Sequence, residues 1–343
     1  MITVVSLNLA QRLADRLNAR SNMLPTTTLR RREEPLCAAP VATTEPAILH
    51  DFETEQESTQ EDRLRARHMR RVLNRPGRTN WLNIKDRLWL LRQSPRSKSP
   101  PIDRAAADDL AACLEAGVAS GFPPLTLASS LWMRTIRQGS GRVLLDALEN
   151  FSDADLRTVT VIYSGWSYTP DELERVTAAQ VKAQFRQHLN RAGVTKLRGP
   201  LFAVLHGEYE PTSGRYILHY HLVTTVTKAA ALKTGLTAKK IRGYTKTATG
   251  SAPVRRSRIG DRVGQLSYLM KAYWPCKPVI RIDGKLKRLR DHHRIPEPFG
   301  TQVLLWLDRQ KFSDLVVTHD CWSRRKGGTA AMKRLYLFVK GVG

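Results

Sequence analysis

Two histidines one residue apart, His219 and His221, lie in the apolar run YILHYHLVTT at 216–225. Alternate side chains of a strand share a face, so the two imidazoles point one way and Tyr220 the other. Such a pair suits a divalent cation; the bland alternative is a polar outer surface. Further on, LSYLMKAY at 266–273 sets Tyr268 and Lys271 three apart, on one face of a helix. A tyrosine hydroxyl is a poor nucleophile at its ordinary pKa of about 10. A nearby ammonium favours the phenolate or neutralises charge developing on a phosphate, and a divalent metal polarises the phosphodiester. Taken alone, Tyr-x-x-Lys also fits an ordinary amphipathic helix.

The histidine strand needs a partner, and PLFAVLHGEYEPTSGR just before it supplies one. A two-residue turn at Ser213-Gly214 would set Glu208 opposite His219 and His206 opposite His221. All four side chains then share one face, with opposed Cβ atoms about 5 Å apart. A slip of one residue would send the partners to the other face.

The elements around these residues follow from patterning. LRTVTVIYS, from 156, reads as a strand rich in β-branched residues, closed by SGWSYT. TPDELERVTAAQVKAQFRQHLNRAG reads as one helix, with Thr169 as N-cap, Pro170 at its first position, Glu172 completing a capping box and Gly193 as its stop. DRVGQLSYLMKAYW reads as a second helix running to Pro275. The order strand, helix, hairpin, helix predicts an α+β fold: a central antiparallel sheet carrying the His-x-His hairpin, flanked by helices, with a helical N-terminal extension. Four regions are expected. Residues 1–62 form a mostly disordered arm, 63–150 a basic helical region that includes WLNIKDRLWLLRQ, 151–278 the domain holding the histidines and tyrosine, and 279–343 a basic C-terminal extension.

Composition narrows the partners. The chain of 343 residues carries 56 Lys and Arg against 31 Asp and Glu, a formal net charge of +25. Such a surface seeks polyanions, nucleic acid before membrane. No apolar run is long enough to span a bilayer, and the start lacks a basic leader followed by an apolar core, so a secretory signal is not expected. Cys37, Cys113, Cys276 and Cys321 are too dispersed for a zinc ribbon or a disulfide framework, which fits reduced thiols in a cytoplasmic protein.

In order, LRTVTVIYS, LHYHLVTT and YLMK resemble the three motifs of the HUH endonucleases, specifically the rolling-circle replication initiators, over roughly residues 155–275. The resemblance implies a central antiparallel sheet on which two histidines and a third polar residue hold a divalent metal, Mn²⁺ or Mg²⁺. It makes His219 and His221 ligands, Tyr268 the nucleophile and Lys271 its assistant. The third ligand, by the register above, is Glu208, with Glu210 and His206 as alternates. It implies nicking and joining of single-stranded DNA through a 5′-phosphotyrosine, leaving a free 3′-hydroxyl, to start replication of a bacterial plasmid or phage. The partners would be single-stranded and replication-origin DNA with a host helicase and polymerase, since no helicase-type phosphate loop is present. Tyr220 is larger than the usual residue between the histidines, and Tyr273 lies too far round the helix to be a second nucleophile.

Between Lys228 and Arg294 the chain holds 18 Lys or Arg against Asp261, Asp283 and Asp291. Phosphate contacts are expected from Lys239, Lys240, Arg242, Arg255, Arg256 and Arg258 in a mobile loop, and from Lys285, Lys287 and Arg288 in a second patch. Tyr244 and Trp274 are candidates for stacking on bases, with a place in the core as the equal alternative for Trp274. His292 and His293 read as part of the basic patch. A conjugative relaxase or tyrosine transposase would use the same chemistry. A non-catalytic nucleic-acid-binding protein would carry the histidines on a polar face.

Overall fold

The computed structural model describes residues 53–74, 100–238, 241–271, 273–282, 285–288 and 293–321. Expectations for residues 1–52, for WLNIKDRLWLLRQ, and for Lys239, Lys240 and His292 lie outside these residues.

Helix α1 (Glu55–Asn74) starts inside the stretch read as a disordered arm. Thr54 and Glu57 explain this: each side chain accepts the other's backbone N–H, a reciprocal cap. Helix α2 (Arg104–Ser120) is capped by Asp103 and ends at Gly121 in the left-handed region. Helix α3 (Ser130–Ala147) begins on the buried Asp62 of α1, whose carboxylate accepts the N–H groups of Ser130 and Leu131 and the Ser129 hydroxyl. Residues 49–343 cluster as one compact unit.

The fold is α+β around a mixed seven-stranded sheet. Its strands are β1 (Leu156–Tyr168), β2 (Leu201–Glu210), β3 (Arg215–Thr225), β4 (Val254–Arg258), β5 (Pro275–Cys276), β8 (His293–Arg294) and β9 (Val316–His319), in the order β4-β1-β3-β2-β5-β8 with β9 also on β2. The sheet is not purely antiparallel as expected, because β5 joins β2 in parallel at Tyr209 and Cys276. Strands β8 and β9 come from the region read as a C-terminal extension; β9 pairs with Leu201–Val204 of β2. A separate ribbon joins β6 (Val279–Ile282) to β7 (Lys285–Arg288).

One face of the sheet is apolar and buried by helices. The stretch read as one helix is two: α4 (Pro170–Arg175) and α5 (Ala178–Arg191). Val176 breaks them in extended backbone, and a second capping box, Thr177 with Gln180, restarts the helix. Tyr220 lies on this face, fully buried, its ring stacked on Phe185 of α5 at 4.2 Å. Helix α8 (Phe299–Asp308) packs here through Tyr209 and Tyr216. Gly207 admits the Trp274 ring, which lies 2.3 Å from where a Cβ would stand. Helices α6 (Val226–Thr237) and α9 (Phe312–Leu315) complete the set, leaving the opposite face for the histidines. No helix among the described residues is long and apolar enough to cross a membrane.

Candidate active site

Strand alternation brings His219 and His221 side by side, as their spacing predicts, but the partner strand is offset by two residues from the expected register. His206 faces His219, Val204 faces His221, and Glu208 faces Ile217. The turn is the cause. It spans four residues, Pro211 to Gly214, because the Glu210 carboxylate accepts the N–H groups of Thr212 and Ser213, both at 2.8 Å. Gly214, at φ 66°, closes it. A shift of two preserves the face, so His206, Glu208, His219 and His221 remain on one side. Glu210, an alternate third ligand, is committed to the turn.

The histidines are anchored from behind. Nε2 of His219 lies 3.1 Å from Nε2 of His221. The His219 Nδ1–H donates to the Ile217 carbonyl at 3.3 Å, and Nδ1 of His221 meets the Thr160 hydroxyl at 3.0 Å. His206 donates from Nε2 to the Leu269 carbonyl at 2.7 Å. Burial lowers the pKa of all three; His206 drops to about 3, with His219 adding to the effect. Burial leads for His219 and His221 as well, with the neighbouring histidines adding at His221. All three rings are therefore neutral at pH 7, the form that ligates metals.

The spacing of the pair fits a cation. Two nitrogens about 2.1 Å from one ion and at right angles lie about 3 Å apart. Glu208 does not complete the set. Its buried carboxylate is ion-paired to Arg288 of β7 and lies 3.6 Å from Lys277 Nζ. Among the described residues there is no group of three or more His, Cys, Asp or Glu side chains arranged to hold a metal.

Helix α7 (Arg262–Tyr268) delivers the tyrosine. It is shorter than predicted and tightens after Ser267: Leu269, Met270 and Lys271 each donate to the carbonyl three residues back. Such a turn has three residues per turn and eclipses i with i+3. Lys271 accordingly sits with its ammonium 5.5 Å from the Tyr268 ring centre, and 5.3 Å from that of Tyr273. The Leu269 carbonyl accepts from His206, which ties the end of α7 to the sheet. The Tyr268 ring centre lies 5.5 Å from that of His221 and 6.4 Å from that of His206. Burial, with Glu208 adding to it, raises the Tyr268 phenol above its ordinary pKa; burial, with Lys277 adding, lowers Lys271.

Two clefts of about 440 and 360 Å³ meet at Tyr268. Both are lined by Thr160, His221, Arg255 and Tyr268. The expected phosphate contacts divide around them. Strand β4 is an exposed edge, not a mobile loop; Arg255 pairs with Thr160 on the histidine face, and Arg256 and Arg258 take the opposite one. Arg288 lines the larger cleft with its charge engaged by Glu208. Lys285 and Lys287 are exposed on the ribbon, and Arg242 is exposed in a turn away from both clefts. Tyr244 and Trp274 are not stacking surfaces. Tyr244 is buried with its hydroxyl 2.8 Å from His188, and Trp274 is buried against Trp306. Tyr273 packs as expected, its hydroxyl donating to the His293 carbonyl at 2.6 Å.

Sequence reasoning passed over Thr160 and Lys277. The alternation of Thr158 and Thr160 in LRTVTVIYS was the available signal for the first. Nothing local marks Lys277. Comparison with protein-family models, curated proteins and solved structures finds no match to this chain.

Proposed function

We propose that this protein nicks and rejoins single-stranded DNA, with Tyr268 as nucleophile and His219 and His221 as metal ligands. The observation that carries the reading is the placing of Tyr268 beside His221 where two clefts meet. A strand running through both would present one phosphodiester to the hydroxyl, with a nucleotide on either side. His219 and His221 would hold a divalent cation, which would supply Lewis-acid assistance to the phosphate. Tyr268 Oη attacks phosphorus, and the phosphorus–O3′ bond breaks. The bonding pair leaves on O3′, which gains the proton the phenol gave up. One phosphodiester replaces another, so the step is reversible and needs no outside energy. Lys271, over the ring, neutralises negative charge as it develops. Raised by burial, Tyr268 waits as a phenol until phosphate and cation arrive. The resemblance of the motifs to those of HUH endonucleases is what supports reading this chemistry as the start of rolling-circle replication.

The test is covalent attachment to labelled single-stranded oligodeoxynucleotides of randomised sequence, in Mn²⁺. Wild-type protein should form an adduct that chelator prevents and Tyr268→Phe abolishes. Binding without adduct in every condition would instead identify a non-catalytic DNA-binding protein.

A further inference from the structure

We propose that Arg255 is the residue that grips the scissile phosphate; this rests on the nicking reading above. The cross-strand register sets Arg255 on β4, Thr160 on β1 and His221 on β3 in one row on one face. Neighbouring strands lie about 4.8 Å apart. The Arg255 backbone is thus two strands, about 10 Å, from that of His221, and both residues line both clefts.

Selection among the cations follows from what each already holds. Arg215 in the larger cleft donates to Ser167 and to Glu172. Lys277 and Arg288 share Glu208. Arg255 is exposed, and its side chain has no hydrogen bond or ion pair among the described residues. It alone of these cations lines both clefts. Its charge is unspent at the place where a phosphate bridging the clefts must sit.

The chemistry suits that position. As the Tyr268–phosphorus bond forms and the phosphorus–O3′ bond breaks, negative charge concentrates on the non-bridging oxygens. A guanidinium offers two parallel N–H donors to such a pair, which an ammonium does not. Arg255 therefore touches the reacting group and acts most strongly in the transition state.

The experiment measures the rate of adduct formation at saturating randomised single-stranded oligodeoxynucleotide in Mn²⁺, with equilibrium binding measured in parallel by anisotropy. Arg255→Ala should slow adduct formation about a hundredfold and weaken binding by less than about tenfold. Arg255→Lys should recover part of the rate. Arg186→Ala, on the exposed side of α5 across the sheet, should match wild type. An Arg255→Ala rate within about twofold of wild type, or a loss seen only in binding, would overturn the assignment. If wild-type protein forms no adduct at all, the nicking reading itself has failed, and Arg255 with it. Melting curves of the variants separate lost chemistry from lost folding.

Discussion

Nε2 of His219 and Nε2 of His221 face one another at 3.1 Å. The carbonyl of Ile217 only accepts, so the His219 proton is on Nδ1 and its Nε2 carries a lone pair. His221 Nε2–H donates to that lone pair, and His221 Nδ1 accepts from the Thr160 hydroxyl. The hydrogen bonds behind the rings fix how the two imidazoles are turned.

Calorimetric titration with Mn²⁺ should show one site, which His219→Ala and His221→Ala each abolish. At a hundred times Kd the ion should add about 2.7 kcal/mol to stability. Thr160→Val keeps the shape and removes the anchor of His221, and should weaken binding about 10- to 100-fold. A wild-type melting temperature indifferent to Mn²⁺ would count against the site.

Glu208→Gln separates ligand from ion-pair partner. With its carboxylate held by Arg288 and Lys277, the variant should bind Mn²⁺ within about threefold of wild type. It should also lose about 2 kcal/mol of stability, because two cations are left uncompensated. A collapse of Mn²⁺ affinity would make Glu208 the third ligand instead.

Acid should unfold the metal-free protein through its buried histidines. His206 has a pKa of about 3 when folded against 6.5 in the exposed group. Between those values the unfolded chain binds a proton that the folded chain does not. The stability is complete above the upper value and falls with pH by about 1.4 kcal/mol per unit for this one group. His219 and His221 shift in the same direction and steepen the loss. Urea midpoints at stepped pH should show this slope, and His206→Gln should flatten it by about one proton's worth. A midpoint rising as pH falls would refute the account.

Gly207→Ala tests the packing behind the site. The new methyl would meet the Trp274 ring at 2.3 Å, and the strand between His206 and Glu208 would have to move. A loss of about 1–3 kcal/mol in urea unfolding is expected. Unchanged stability would show that Trp274 can move aside.

What a single stretch of chain encodes was legible in the residues. Period-two alternation put His219 and His221 on one face and Tyr220 on the other, and that held through a two-residue change of register because such a shift preserves parity. Thr169 and Glu172 announced a helix start and Gly193 a helix stop, because capping is a contact between near neighbours, but the break at Val176 between two separate helices was not foreseen. What faces what was decided by tertiary structure. Whether His219 meets Glu208 or His206 depended on how the Glu210 carboxylate closes the turn. Glu208 was claimed by Arg288, 80 residues along the chain. Tyr244 and Trp274 looked available as stacking surfaces until other elements buried them. Tyr268 met His221 only because α7 packs against the sheet and the Leu269 carbonyl just after it is held there by His206. Periodicity and caps are properties of neighbouring residues; partners across strands and helices depend on how distant segments close on one another.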